Sequence, residues 1–187
     1  MTKYFTHKNS LVESKNIGEG SRIWTFVHIL PGAKIGKDAN VCDHCFIEND
    51  VKIGNHVTIK SGVYLWDGIT IEDNVMIGPA AVFTNDKYPR SKNKNYKQER
   101  TLLKKGSSIG ANATIIAGIV IGQYALIGAG TVVTKDVPDF GLVYGNPAMI
   151  KGYVCVCGKK ISLLKTSYSC VCGKKYKIKN SHVSLIP

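Results

Sequence analysis

From Ile17 onward an aliphatic or aromatic residue recurs at every sixth position: Ile23, Ile29, Ile35, Val41, Ile47, Ile53, Ile59, Leu65, Ile71, Ile77 and Phe83. A small or β-branched residue follows each by four places, in the run Ser21, Val27, Ala33, Ala39, Cys45, Val51, Val57, Val63, Ile69, Val75 and Ala81. A period of six matches neither the 3.6-residue stripe of an α-helix nor strand alternation at 2. It suits short strands that turn a corner after every six residues, three of which close one triangular coil of 18, the spacing at which Gly18, Gly36 and Gly54 recur.

The rhythm returns at Ile109, Ile115, Ile121, Ile127 and Val133, but Phe83 and Ile109 stand 26 residues apart, which is no multiple of six. The spacing predicts a loop extruded from a coil over about 86–106, running from Asp86 through Tyr88, Pro89 and Arg90 towards Gly106. A connection that long with no pattern of its own is expected to serve function. The coils stop after Pro138, and the stretch from Asp139 to Ala148 ends them. The organisation expected is therefore a solenoid over residues 1–150 and a small cysteine-rich β appendage over 151–187.

Charge sharpens this division. The chain of 187 residues carries +12, of which residues 84–106 hold +6 and residues 151–187 hold +8, while the other 127 residues sum to −2. Concentration of this kind points to an anionic partner, nucleic acid or a phosphorylated metabolite, with a solvated lysine face as the plain alternative. No window approaches a membrane span, and Met1-Thr2-Lys3-Tyr4-Phe5-Thr6-His7 lacks the apolar core of a secretory signal. A cytoplasmic, soluble protein is the expectation, in which six cysteines serve metal binding or burial rather than disulfides.

The six-residue period resembles that of the hexapeptide-repeat acyltransferases, over about residues 5–150. The resemblance implies an all-β fold, the left-handed parallel β-helix. In it the repeat residue fills the prism, the small residue fits beside it, and coils stacked about 4.8 Å apart pair their backbone groups. Gly145-Asn146-Pro147-Ala148 is similar to the segment that closes the last coil near coenzyme A in that family.

Stacked positions follow from the period. Asn49, Asp67 and Asn85 lie 18 apart and should form a polar column at one corner, beside Glu48, Tyr64, Trp66 and Asp86. Asn and Asp also favour solenoid corners for their turn geometry alone. The stretch Phe83-Thr84-Asn85-Asp86-Lys87-Tyr88-Pro89-Arg90-Ser91 resembles the signature of the acetyltransferases that act on nucleotide-linked 3-amino sugars, notably dTDP-linked 3-amino-3,6-dideoxyhexoses, with UDP-linked 3-amino-glucuronate enzymes related. Gly110–Ile115 and Ile127–Pro138 match in the expected order.

The resemblance implies direct attack by the sugar amine on acetyl-CoA, for a sugar destined for a surface glycan. Asn85 would orient the amine by hydrogen bond, since an amide cannot act as a base at neutral pH, and the departing thiolate would take the proton. No histidine lies between 57 and 181, and none of His28, His44 and His56 is expected to serve as base. Glu48, Asn49, Tyr64, Trp66, Asp67, Asp86 and Arg90 would meet the sugar nucleotide, Arg90 offering two parallel donors to an oxyanion. The backbone N–H groups of Ala117 and Gly118 would face the thioester oxygen. Thr134, Lys135, Asn146 and Lys151 would hold the pantetheine and adenosine portions. Sites of this kind form between subunits, so the resemblance implies a homotrimer, with no nucleic-acid or membrane partner.

Cys42 and Cys45 flank Asp43-His44, but Cys45 occupies a small interior position and should point into the prism, so burial rather than a metal cluster is expected there. The tail differs: Cys155-Val156-Cys157-Gly158-Lys159-Lys160 recurs as Cys170-Val171-Cys172-Gly173-Lys174-Lys175, an offset of 15. Four thiolates in two close pairs suit a structural tetrahedral zinc, although the spacing is Cys-x-Cys where Cys-x2-Cys is usual. Two other readings stay open at this point: acylation of another acceptor or with another acyl group, and a non-catalytic zinc-ribbon nucleic-acid binder whose Tyr153, Tyr168 and Tyr176 stack on bases.

Overall fold

The computed structural model describes residues 4–93, 95–179 and 182–186, so that Lys94 of the expected loop lies outside it. Regular structure consists of β-strands, most of two residues, with no helix among the described residues. Along the chain the strands visit three sheets in turn. The first face runs from Phe5–Thr6 through Arg22–Ile23, Asn40–Val41, Thr58–Ile59, Met76–Ile77, Ser108–Ile109 and Leu126–Ile127 to Gly141–Tyr144. The second runs from Leu11–Val12 to Val132–Val133, and the third from Asn16–Ile17 to Val120–Ile121.

All pairings within the coils are parallel, and registers such as Ile47 with Leu65 and Ile59 with Ile77 are 18 residues apart, as the period requires. Every repeat residue from Ile23 to Phe83 is at most 5% exposed, and so are Val27, Ala33, Ala39, Cys45 and the other small partners. Burial in a low-polarity interior pushes the Cys45 thiol up to about 11. The coils stack tightly at the corners: a Cβ on Gly36 would lie 2.6 Å from the carbonyl carbon and oxygen of Gly54. Glycine at this spacing is therefore a packing requirement.

The loop begins where expected but ends sooner. Thr101–Leu103 is a strand of the third face, paired with Ile69–Ile71 on one side and Val120–Ile121 on the other. The extruded segment is thus 86–100, and the boundary near residue 106 is corrected, because Leu103 already occupies an interior position six residues before Ile109 and is fully buried.

After the last coil the direction reverses. Met149–Val154 runs antiparallel to Gly141–Tyr144 and then pairs with Lys160–Ile161, while Ser167–Ser169, Lys175–Lys179 and His182–Leu185 form a separate three-stranded sheet. A second, smaller core joins Phe140, Tyr153, Cys155, Ile161, Cys170 and Tyr176. No helix among the described residues is long and apolar enough to cross a membrane.

Candidate active site

The loop leaves the prism at the corner between the second and third faces. Register carries one position of that corner from coil to coil: Ile47 pairs with Leu65, Phe83 with Ile115 and Ile115 with Val133, so the residues two places on are stacked. These are Asn49, Asp67, Asn85, Ala117 and Lys135. One straight column therefore joins residues expected to meet the sugar with residues expected to meet coenzyme A, and Asn85 stands at its middle, immediately before the loop.

The column members are not equivalent. The Asn49 amide oxygen accepts the Gly32 N–H at 2.9 Å, and an Asp67 carboxylate oxygen accepts the Asp50 N–H at 2.6 Å. Glu48 accepts the Asp67 N–H at 2.7 Å. Each of these side chains bridges one coil to the next, the corner role that Asn and Asp fill through their short polar groups. Asn85 differs. Its backbone carbonyl accepts the Glu99 N–H at 3.3 Å and the Tyr96 hydroxyl at 3.2 Å, closing the neck of the loop. Its half-buried side-chain amide has no partner within the chain among the described residues.

Three carboxylates gather around this neck. Burial first, and then the charges of Asp86, Glu48 and Asp67, push the Tyr96 phenol above its ordinary value. The loop itself is held by ion pairs from Arg100 to Asp50 at 3.0 Å and from Lys87 to Glu99 at 3.9 Å. Within the loop is a cavity of about 320 Å³ lined by Asp86, Lys87, Tyr88, Tyr96 and Glu99 among others. Arg90 lies outside that lining, exposed, its guanidinium donating to the Pro89 carbonyl at 2.8 Å. On the second face Phe46, Tyr64 and Trp66 pack edge to face, with Trp66 donating to the Phe83 carbonyl at 2.8 Å. Tyr64 and Trp66 line an adjoining cleft of about 270 Å³ together with Gly62 and Ala80–Phe83. The arrangement offers an aromatic wall, an anionic neck that attracts an ammonium, and one free amide between them.

One expected role fails. The Ala117 N–H donates to Thr84 Oγ1 at 2.9 Å, and the Gly118 N–H to Thr101 Oγ1 at 3.1 Å. Both donors are committed within the chain, so neither is available to a thioester oxygen. The corner is also roofed, because a Cβ on Gly118 would lie 3.0 Å from Glu99 Oε2 and 3.2 Å from Lys87 Nζ. Thr84, Tyr96, Glu99 and Thr101 were not singled out from the sequence. Thr84 lies inside the Phe83-Thr84-Asn85 stretch, but nothing in the spacing marks Tyr96 or Thr101.

His28 lies within the second face, its ring 5.4 Å from that of Phe46 and its Nε2 3.1 Å from Glu13, while His44 and His56 lie on other corners. His44 stacks on Phe26 at 5.0 Å between the first and second faces, and His56 faces Asp38 at 3.7 Å between the third and first. Farther along the Asn85 corner, Thr134 and Lys135 are exposed on the last turn. The closing turn sits beside them: Val132 N–H donates to the Gly145 carbonyl at 3.0 Å and Ala148 N–H to the Val132 carbonyl at 2.8 Å. That turn presents exposed Asn146, and Lys151 follows it with its ammonium 5.6 Å from the Tyr144 ring centre.

In the tail, the four expected ligands come together. The sulfurs of Cys155, Cys157, Cys170 and Cys172 lie within 4.8 Å of one another, with pairs at 3.4 and 3.6 Å. A tetrahedral zinc with bonds of about 2.3 Å needs sulfurs about 3.8 Å apart, so the set fits the metal. The duplicated sequence makes duplicated turns: Cys155 N–H to Lys159 carbonyl and Cys170 N–H to Lys174 carbonyl are both 2.8 Å. Burial opposes ionisation of Cys155, but hydrogen bonds from the Cys157 backbone, the Tyr176 hydroxyl and the neighbouring thiols outweigh it and lower its pKa to about 6.

A family model described as the bacterial transferase hexapeptide, of six repeats, matches residues 14–49, 50–85 and 100–135, leaving out the loop. Over 180 residues, 96% of this chain and 94% of the relative, the chain is 59% identical to a dTDP-3-amino-3,6-dideoxy-alpha-D-galactopyranose 3-N-acetyltransferase of Aneurinibacillus thermoaerophilus. It is 41% identical over 76% of its length to the bifunctional protein GlmU of Streptococcus gordonii, of which it spans only 29%. Among solved structures, a hexapeptide-repeat acetyltransferase of Vibrio cholerae complexed with acetyl coenzyme A superposes with a TM-score of 0.58 at 32% identity, over 65% of this chain and 70% of that one.

Proposed function

Because the chain belongs to the bacterial hexapeptide transferase family, we propose that it transfers acetyl from acetyl-CoA to the 3-amino group of a dTDP-linked 3-amino-3,6-dideoxyhexose. The observation that carries the substrate is the 59% identity to an enzyme of that description along 96% of the chain, loop and tail included. Acetyl-CoA as donor is supported by the Vibrio cholerae relative solved with it. The reaction suits a cytoplasmic enzyme making a surface-glycan precursor, where both substrates are made.

The chemistry follows from the corner. Glu48, Asp67 and Asp86 attract the sugar ammonium to the neck; there it gives up one proton to solvent, and the Asn85 amide oxygen accepts a hydrogen bond from the resulting free amine, setting its lone pair towards the thioester carbon. The C–N bond forms as the C–S bond breaks, and the coenzyme A thiolate takes up the proton the new amide loses. Tyr64 and Trp66 face the sugar's apolar edge, Arg90 and the loop lysines its pyrophosphate, and Asn49 keeps the corner in place. Thr134, Lys135, Asn146 and Lys151 hold the pantetheine and adenosine parts, with Ala117 and Gly118 shaping the passage between them sterically.

A homotrimer completes this reading. Leu11, Tyr64 and Val82 stack along the second face with half or more of their surface exposed, an apolar strip suited to a second copy of the prism. Sedimentation equilibrium should give three times the chain mass of 20.4 kDa.

The decisive experiment is thiol release from acetyl-CoA against a panel of dTDP- and UDP-linked 3-amino sugars. We expect release with the dTDP-linked 3-amino-3,6-dideoxyhexoses. Silence across the whole panel would sink the proposal.

A further inference from the structure

The tail thiols lie outside the acetyl-transfer corner, yet their place in the fold is specific. A solenoid must close off its last coil, because otherwise its core opens to water at that end. Here the last coil ends at Phe140, which is buried between two rings: Tyr124 stacks on it at 5.7 Å and Tyr176 meets it edge-on at 5.6 Å. Tyr176 comes from the tail sheet and is fully buried. Its hydroxyl donates to Cys155 Sγ at 3.1 Å and accepts the Val156 N–H at 3.0 Å. The ring that covers the end of the prism is thus tied directly to the thiol cluster.

Cys155 in turn follows the strand Met149–Val154 without an intervening residue. That strand begins beside the closing turn and carries Lys151; two and three places on, Tyr153 and Val154 are buried, Tyr153 within the core that includes the tail residues Cys170 and Tyr176. Two things bear on its position: its pairing with Gly141–Tyr144, interrupted by a bulge between Leu142 and Val143, and the cluster at its far end.

We propose that the four thiolates bind a structural zinc ion that locks the tail onto the last coil as a cap, and that the loaded cap holds Lys151 and the Asn146 turn in register for acetyl-CoA. The second half rests on the coenzyme A site proposed above; the first half does not. Residues 151–187 are 37 in number, below the roughly 40 at which a chain usually needs a metal or disulfide to hold a core. Cys157 and Cys172 are exposed and bury little apolar surface of their own. Four sulfurs this close repel as thiolates and bond weakly as thiols, so an ion at their centre supplies what the small core lacks.

The test uses full-length protein purified without chelator. Elemental analysis should find about one zinc per chain, and cobalt exchange should give the thiolate charge-transfer absorption of a four-sulfur site. Cys157→Ser and Cys172→Ser, at the exposed ligand positions, should each lose most of the zinc and lower the melting temperature. In the same variants KM for acetyl-CoA should rise about three- to tenfold, the span of one lost hydrogen bond, with kcat and KM for the sugar nucleotide little changed. Absence of zinc, iron in its place, or cysteines found as two disulfides would overturn the metal assignment. Zinc-free variants with an unchanged KM for acetyl-CoA would overturn the link to Lys151. A protein that binds zinc and melts cooperatively but releases no thiol with any sugar would leave the cap standing and remove the proposed function instead.

Discussion

Asn49 and Asn85 are the same residue type, 36 positions and two coils apart on one corner, and the structure assigns them opposite sensitivities. Replacing Asn85 by alanine removes an amide that bonds nothing among the described residues. The loop neck survives, because Glu99 and Tyr96 bond the backbone carbonyl, which the substitution keeps. Stability should therefore change by less than about 0.5 kcal/mol. Turnover should fall roughly ten- to a hundredfold, or about 1.4–2.7 kcal/mol, the effect of losing one or two interactions that position the amine. Asn49→Ala breaks the 2.9 Å bond to the Gly32 N–H and should cost about 0.5–1.5 kcal/mol of stability, with turnover within about twofold. Thermal melts and saturation kinetics by thiol release, run on both variants, separate the two outcomes. Near-normal kcat in Asn85→Ala, or a larger loss of turnover than of stability in Asn49→Ala, would refute the assignment of the free amide to catalysis.

Other measurements follow from the same geometry. His44→Ala and His56→Ala should remain active, since those side chains occupy the other two corners; loss of turnover in a folded variant of either would restore a histidine base. Gly36→Ala should cost about 1–3 kcal/mol, because its Cβ would stand 2.6 Å from the Gly54 carbonyl, whereas Gly62→Asn, with φ of +75° and no atom within 4 Å, should be nearly neutral; equal melting temperatures for the two would contradict the stacking argument. With its thiol buried and pushed up to about 11, Cys45 should stay unalkylated by iodoacetamide at about pH 8, where roughly a thousandth is thiolate, and rapid labelling in the native protein would show the prism to be open.

The prism was legible because its cause is local and periodic. A six-residue apolar rhythm admits few folds, and the same arithmetic that set Ile47 under Leu65 also set Asn49 under Asp67 and Asn85. The end of the loop was harder to read, since Thr101-Leu102-Leu103 contributes a single repeat unit and only its pairing with Ile69–Ile71 and Val120–Ile121 makes it part of a coil. The tail duplication likewise announced its four candidate ligands, while their convergence to within 4.8 Å and the contact of Tyr176 with Phe140 came from the packing of separate strands.

Sequence by itself determined which residues share a corner, because along a stacked coil position is a function of residue number. Only the tertiary structure decided what each of them does there. Whether an amide is free or a backbone N–H already occupied depends on the partner that folding brings alongside: Gly32 for Asn49, none among the described residues for Asn85, and the Thr84 and Thr101 hydroxyls for Ala117 and Gly118. Hydrogen bonds are satisfied pairwise in space, and that pairing is invisible in a period.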